Sequence, residues 1–213
     1  HGIVPDDEIE AAADSLRAAV RNGPSGHFST GIFGTKYILE TLSEYASPGE
    51  VFAVVNSTEY PGWGHMISRG ATTVWETWKE SDNVYSNCHP MFGTVSEWFY
   101  RWLGGIRPLP DEPGFKRFII SPAVPGGLDY VNCSWHSPRG EIVSDWKKQG
   151  TDAVQYRVRI PGGSKALVDL QPSVVKRIEK VREGKPLQNI VPEGMSSGRF
   201  ELAEGEYLIS ADL

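Results

Sequence analysis

The chain has 213 residues, of which 39% are hydrophobic and 23% are charged, and its formal net charge is −6. This composition is typical of a globular protein and excludes fibrous and intrinsically disordered classes. No run approaches the roughly 18 to 20 consecutive apolar residues of a membrane-spanning helix, so we expect no membrane partner. An acidic balance without a dense Lys and Arg cluster to neutralise phosphates also argues against nucleic acid as a partner.

Metal, redox and nucleotide chemistry find no support in the motifs of the chain. Cys88 and Cys133 lack CxxC spacing, which disfavours a zinc or redox site and leaves a single disulfide open. The GxSxG, P-loop, GxGxxG and HExxH patterns are all missing from the sequence. The sequence therefore predicts no metal site and no cofactor, and we expect His27 and His65 to be structural.

The first half of the chain shows helical periodicity. Apolar residues share one helical face in each of four segments. The first segment begins near Ile9, and the others span residues 35–45, 50–56 and 91–103. Gly104 and Gly105 should end the last of them. The connections between these segments, such as residues 59–70, are long, aromatic and rich in glycine. Such a pattern is typical of a helical array whose loops carry function.

After Ile106 the period changes to two, and prolines and glycines recur at short intervals. Strands are predicted for residues 115–121, 128–135, 140–147, 153–160, 165–170, 199–202 and 206–211. Within 153–160, Val154, Tyr156 and Val158 alternate with polar residues, which indicates one buried face and hence two packed sheets. The sequence predicts an α+β chain, with helices in residues 1–106 and an antiparallel β-sandwich in residues 107–213.

Residues 59–78 and 86–89 combine carboxylate, imidazole and indole groups. Sugar sites pair aromatic platforms with polar groups that fix hydroxyls, and Glu76 between Trp75 and Trp78 fits this chemistry. Other interpretations stay open. Tryptophans three apart commonly pack in a core, Glu76 could be a solvated carboxylate on a helix, and His89 could simply cap the helix that follows it.

Five collinear segments resemble the inverting alpha-L-rhamnosidase family of glycoside hydrolases. They are HFSTGIFGT (27–35), YPGWG (60–64), GATTVWETW (70–78), NCH (87–89) and EWFYRWL (97–103). The later segment SPRGEI (137–142) and Trp146 resemble the C-terminal β-sandwich of that family. The resemblance spans nearly the whole chain in consistent order.

The resemblance implies a catalytic (α/α)6 barrel, of which residues 1–106 would be the last helices, followed by a jelly-roll-like sandwich in residues 107–213. It implies that Glu76 is the general base, that His89 contacts the rhamnose ring, and that Trp63 lines the same pocket. Trp75 and Trp78 are further candidates for substrate binding. The general acid of the family lies in an upstream segment that has no counterpart here, so we expect the chain alone to be inactive.

The implied partners are a rhamnose-containing glycan or glycoside and the upstream remainder of the same barrel, in a periplasmic or extracellular location. A second class of function stays open, a non-catalytic carbohydrate-binding or barrel-supporting module in which Trp135 or Trp146 offers a sugar platform. Both tryptophans lie in alternating strands, so core packing is expected for each. An upstream reading frame that encodes more helical hairpins would favour the enzyme.

Overall fold

The computed structural model describes residues 4–23, 26–80, 85–182 and 184–213. The chain divides into two compact units, a helical unit of residues 1–99 and a β unit of residues 100–213. Within the described ranges, no helix is long and apolar enough to cross a membrane. Both cysteines are free thiols; Cys88 is exposed and Cys133 is buried.

The helical unit is built from short helices joined by irregular segments. The α-helices among its described residues are α1 (Ile9–Arg21), α2 (Gly34–Tyr45), α3 (Pro48–Val55), α4 (Trp63–Ser68) and α5 (Thr94–Trp98). The helices predicted near Ile9 and in residues 35–45 and 50–56 are confirmed. The sequence pattern does not predict helix α4, because it lies in the glycine-rich connection of residues 59–70.

Amphipathic packing explains the helices that the sequence predicts. Helix α2 buries Ile38, Leu39 and Leu42, which recur at helical spacing on one face. Helix α3 begins with a well-formed cap, since Ser47 Oγ accepts a hydrogen bond from Gly49 N and Pro48 occupies the first turn, where its missing N–H costs nothing.

The helical segment predicted for residues 91–103 is a run of three helix types. A 3-10 turn (Pro90–Gly93) leads into α5, and a π-helical stretch (Phe99–Leu103) follows it. The boundary between the two units falls inside this run, between Phe99 and Tyr100. Gly105 then adopts a φ of 71°, which a glycine tolerates without steric cost and which ends the helical path as predicted.

The β unit contains one sheet of nine strands among the described residues. They are β1 (Ile106–Pro108), β2 (Arg117–Ile120), β3 (Tyr130–Val131), β4 (Ser134–Ser137), β5 (Gly140–Lys148), β6 (Ala153–Asp169), β7 (Val174–Val181), β8 (Gln188–Ile190) and β9 (Arg199–Asp212). The neighbours are antiparallel except β2 and β6, which are parallel. The predicted fold class, helices followed by a largely antiparallel β unit, is confirmed.

Two long strands organise this sheet. Strand β6 pairs with β9 from Ala153 opposite Asp212 to Asp169 opposite Arg199, with a shift of register between Ile160 and Lys165. Before the shift the other edge of β6 pairs with β5, and after it with β2. The strands paired before and after the shift form two sections of the sheet. Buried residues of both sections belong to one hydrophobic core, which includes Ile142, Trp146, Tyr156, Phe118, Val168 and Phe200.

The two tryptophans proposed as sugar platforms have different environments. Trp146 is 1% exposed, and its Nε1 donates a hydrogen bond to Leu103 O at 2.9 Å, which confirms core packing. Trp135 is 43% exposed, so core packing is wrong for this residue. It lies on β4, which pairs with β5 in the described sheet.

Candidate active site

Glu76 and His89 lie in two irregular segments that run side by side. Glu76 N donates a hydrogen bond to Ser86 O at 2.9 Å, and His89 N donates one to Val74 O at 2.7 Å. Because main-chain hydrogen bonds at both ends join these segments, the two candidate residues belong to one local structure. Glu76 is not on a helix, so the alternative of a carboxylate on a helix surface is wrong.

The carboxylate of Glu76 is half-buried and held by the main chain. Ser86 N donates a hydrogen bond to Glu76 Oε2 at 2.8 Å. A main-chain N–H directed at an ionised carboxylate forms a charge-assisted hydrogen bond, which fixes the direction of the group. An ionised carboxylate offers about four lone-pair sites, so one such contact leaves capacity to accept a proton from water.

The imidazole of His89 is half-buried and caps the 3-10 turn that follows it. Its Nδ1 accepts a hydrogen bond from Met91 N at 3.4 Å. The sequence left open whether His89 caps the helical turn after it, and the structure shows that it does. A neutral ring with Nδ1 as acceptor carries its proton on Nε2, so this hydrogen bond assigns a tautomer whose Nε2–H can donate to a ligand hydroxyl. Capping and sugar binding are compatible in this geometry.

The three tryptophans near Glu76 are packed into the helical unit. Trp63, Trp75 and Trp78 are only 9%, 4% and 8% exposed. Trp78 stacks on Phe92, with ring centroids 3.9 Å apart, and meets Trp63 edge-to-face at 4.9 Å. Core packing, one of the alternatives left open by the sequence, is what the structure shows. Contact of these rings with substrate stays a prediction.

Both buried indole N–H groups of this stack have acceptors. Trp63 Nε1 donates to Phe92 O at 2.9 Å, and Trp78 Nε1 donates to Thr30 O at 2.7 Å. A buried polar group without a partner would cost about 1 to 3 kcal/mol, so these bonds fix the ring orientations. The stack thus links the HFSTGIFGT, YPGWG and GATTVWETW segments into one support for the loop that carries Glu76.

Close packing explains the YPGWG segment. A Cβ atom on Gly64 would lie 2.3 Å from Ser57 O, so the start of helix α4 requires glycine here.

His27 is buried, and its Nδ1 lies 2.6 Å from Pro61 O, which confirms a structural role. His65 meets the Tyr60 ring edge-on at 5.2 Å.

Comparison with known proteins identifies the family. Residues 1–103 match the bacterial alpha-L-rhamnosidase 6 hairpin glycosidase domain, and residues 105–185 match the bacterial alpha-L-rhamnosidase C-terminal domain. The chain belongs to the bacterial alpha-L-rhamnosidase family. Its helical unit corresponds to part of the six-hairpin glycosidase domain, in agreement with the resemblance found in the sequence.

Individual rhamnosidases are similar over most of this chain. An alpha-L-rhamnosidase of Formosa agariphila is 29% identical over 89% of the chain, which spans 20% of that protein. The structure of an alpha-L-rhamnosidase from Dictyoglumus thermophilum superimposes on 99% of the chain, with a TM-score of 0.80 and 28% identity, across 24% of its own length. An alpha-L-rhamnosidase of Streptomyces avermitilis, solved with L-rhamnose, has the same fold, with a TM-score of 0.77 and 23% identity over 97% of this chain and 20% of its own. The chain therefore spans about a fifth of the length of the curated relatives it matches.

The sequence does not indicate two residues of the candidate site. Ser86 supplies the main-chain donor to Glu76, and Thr73 Oγ1 donates a hydrogen bond to Asn87 O. The sequence indicates residues 86–89 through Cys88 and His89, but a contact made by a main-chain N–H leaves no signature in the side-chain pattern. Residues 81–84, which connect the two segments, lie outside the described residues.

Proposed function

We propose that this chain is the C-terminal part of an alpha-L-rhamnosidase that releases terminal alpha-L-rhamnose from a glycan or glycoside with inversion, and that Glu76 is its general base. The observation that carries the proposal is the Glu76 carboxylate held by Ser86 N, in a segment hydrogen-bonded to the one that carries His89. Membership of the rhamnosidase family supports it across both units.

Inversion requires two carboxyl groups about 6.5 to 9.5 Å apart, one to protonate the leaving oxygen and one to activate water on the opposite face of the sugar. In this mechanism Glu76 accepts the proton of the attacking water, and the hydrogen bond from Ser86 N fixes the direction of the carboxylate. His89 donates its Nε2–H to a hydroxyl of the rhamnose ring. Trp63, Trp75 and Trp78 form the wall of the pocket.

We assign the general acid to the upstream part of an (α/α)6 barrel, which residues 1–106 complete. We infer that residues 107–213 form a sandwich in which the two sections of the sheet face each other across one core. Support comes from the buried residues that the sections share and from the shift of register in β6. The 213 residues alone should then not hydrolyse a rhamnoside above the buffer rate.

The test of the base is Glu76→Gln in the full-length enzyme. The amide keeps the shape of the side chain but accepts no proton, so kcat should fall by about 10²-fold or more while KM stays within a few-fold. Glu59→Gln, which changes an exposed carboxylate in the irregular segment before helix α4, is the matched control and should leave kcat unchanged.

Product stereochemistry gives an independent readout. Water activated by Glu76 attacks opposite the leaving group, so a nuclear magnetic resonance time course should show beta-L-rhamnose first. An alpha anomer formed first, or an unchanged kcat in Glu76→Gln, would remove Glu76 from the role of base.

One observation favours a second function, carbohydrate binding by the β unit. Trp135 is 43% exposed and lies beside Tyr100, with ring centroids 5.8 Å apart, and beside Phe115, at 6.5 Å. Exposed aromatic faces can stack on the apolar faces of sugars. Retardation of the protein in a gel that contains a rhamnose-rich polysaccharide, lost in Trp135→Ala but kept in a Tyr130→Ala control, would establish this function.

A further inference from the structure

We infer that Ser86 is a positioning residue for Glu76, whose hydroxyl fixes the turn that directs a main-chain N–H at the carboxylate. The inference rests on the proposed function, in which Glu76 is the general base. It concerns a residue that does not itself touch substrate and that acts through Glu76.

The hydroxyl of Ser86 makes two hydrogen bonds to one residue. Ser86 Oγ donates to Cys88 O at 3.0 Å, and Cys88 N donates to Ser86 Oγ at 3.0 Å. A hydroxyl has one donor and two acceptor sites, so it can make both bonds at once. Together they hold residues 86–88 in a turn, and the turn sets the direction of Ser86 N–H.

The same turn is tied to the segment that carries Glu76. Thr73 Oγ1 donates to Asn87 O, in the middle of the turn, and Glu76 N donates to Ser86 O at 2.9 Å. Beyond the turn, His89 N donates to Val74 O at 2.7 Å. Three hydrogen bonds therefore join the two segments next to the 2.8 Å contact between Ser86 N and Glu76 Oε2.

The exposure of residues 86–88 explains why the Ser86 hydroxyl is needed to hold the turn. Ser86 and its two neighbours Asn87 and Cys88 are exposed, so burial of their own side chains contributes little to the shape of the turn. Local hydrogen bonds from a Ser side chain to nearby main-chain groups can hold such a turn. Ser86→Ala keeps the N–H that contacts Glu76 but removes both bonds that direct it. The expected consequence is a displaced base in a folded protein.

The experiment uses the full-length enzyme and compares Ser86→Ala with Ser86→Thr. A displacement of 1 Å can cost about 10²-fold in rate, so Ser86→Ala should lower kcat by about tenfold or more, with KM within about threefold. Ser86→Thr keeps the hydroxyl and should restore most of the rate. Ser15→Ala is the matched control, because Ser15 Oγ donates to Ala11 O at 2.8 Å on an exposed face of helix α1.

A double variant distinguishes positioning from a general structural effect. If Ser86 acts through Glu76, adding Ser86→Ala to Glu76→Gln should cause no further loss of kcat, whereas a structural effect would be additive. Thr73→Val loosens the same turn from the other segment and should act in the same direction. It serves as the second test if Ser86→Ala lowers the melting temperature.

Three results would overturn the inference. A wild-type kcat in both Ser86→Ala and Thr73→Val would show that the turn does not position the base. An equal loss from Ser86→Ala in the wild-type and Glu76→Gln backgrounds would show that Ser86 does not act through Glu76. An unchanged kcat in Glu76→Gln would refute the base assignment and the inference together, which distinguishes failure of the proposed function from failure of positioning alone.

Discussion

Single hydrogen bonds decide what each side chain of the candidate site can do. The sequence indicates Glu76 and His89 through their aromatic surroundings and the family resemblance, and it leaves open that His89 caps the helical turn that follows it. The structure adds an N–H donor at Glu76 Oε2 and shows the cap, in which His89 Nδ1 accepts from Met91 N. The donor to Glu76 could not be predicted, because it is a main-chain group of a residue ten positions away in the sequence.

His89→Ala should act mainly on binding. Under the proposed function the variant removes an Nε2–H that donates to a hydroxyl of the sugar, a loss of about 1 to 2 kcal/mol. KM in the full-length enzyme should therefore rise about 5- to 30-fold with kcat within a few-fold. His65→Ala, which removes an imidazole that packs edge-on against Tyr60, is the control. Steady-state kinetics that show a large fall in kcat at constant KM would contradict the assignment.

Helices and strands could be predicted from the sequence where a local period of apolar residues specifies them. The prediction failed where tertiary contacts determine the structure. Residues 35–45 and 153–160 carry clear periods of 3.6 and 2, and both form the predicted element. Pro161, Gly162 and Gly163 indicate a break, yet β6 continues through them, because the shift of register lets the strand bend while β9 stays paired on both sides. Helix α4 has only six residues and depends on a close approach to Ser57.

Gly64→Ala should therefore destabilise the helical unit. Its Cβ would lie 2.3 Å from Ser57 O and 2.9 Å from Thr58 Cα, both main-chain atoms that cannot rotate away. The free energy of unfolding should fall by about 1 to 3 kcal/mol. Gly93→Ala is the control, since Gly93 has a φ of −66° and a methyl group added there would extend into open space. Equal denaturant midpoints for the two variants would show that α4 shifts to accept the methyl group.

At the scale of the whole molecule, the sequence predicts a boundary at residues 106 and 107, where the period changes. The β unit begins earlier, at Tyr100, and the matches to the two family domains meet between residues 103 and 105. The π-helical stretch continues the helical period of the sequence, but its carbonyl groups accept hydrogen bonds from residues much later in the chain. Trp146 Nε1 donates to Leu103 O at 2.9 Å, and Ala123 N donates to Trp102 O at 2.8 Å. Local periodicity carries no information on such long-range partners.

The boundary can be tested with two truncated proteins, one starting at Arg107 and one at Tyr100. The shorter protein should fold into a β-rich unit with cooperative melting, as the change of period predicts. The longer one should melt at a higher temperature, because it keeps Leu103 O as the acceptor for the buried Trp146 Nε1 and retains the buried side chains of Trp102 and Leu103. An unsatisfied buried N–H costs about 1 to 3 kcal/mol, and 1 kcal/mol shifts the midpoint of a domain of this size by about 4 to 8 °C.

Trp146→Phe provides the matched control for that comparison, because it removes the donor and keeps an aromatic ring in the core. If the lost acceptor causes the difference in melting temperature, Trp146→Phe should cost the longer protein more than the shorter one, in which the N–H has already lost its partner. Equal midpoints for the two truncated proteins would show that residues 100–106 do not stabilise the β unit. Helical circular dichroism in the protein starting at Arg107 would refute the predicted division at the change of period.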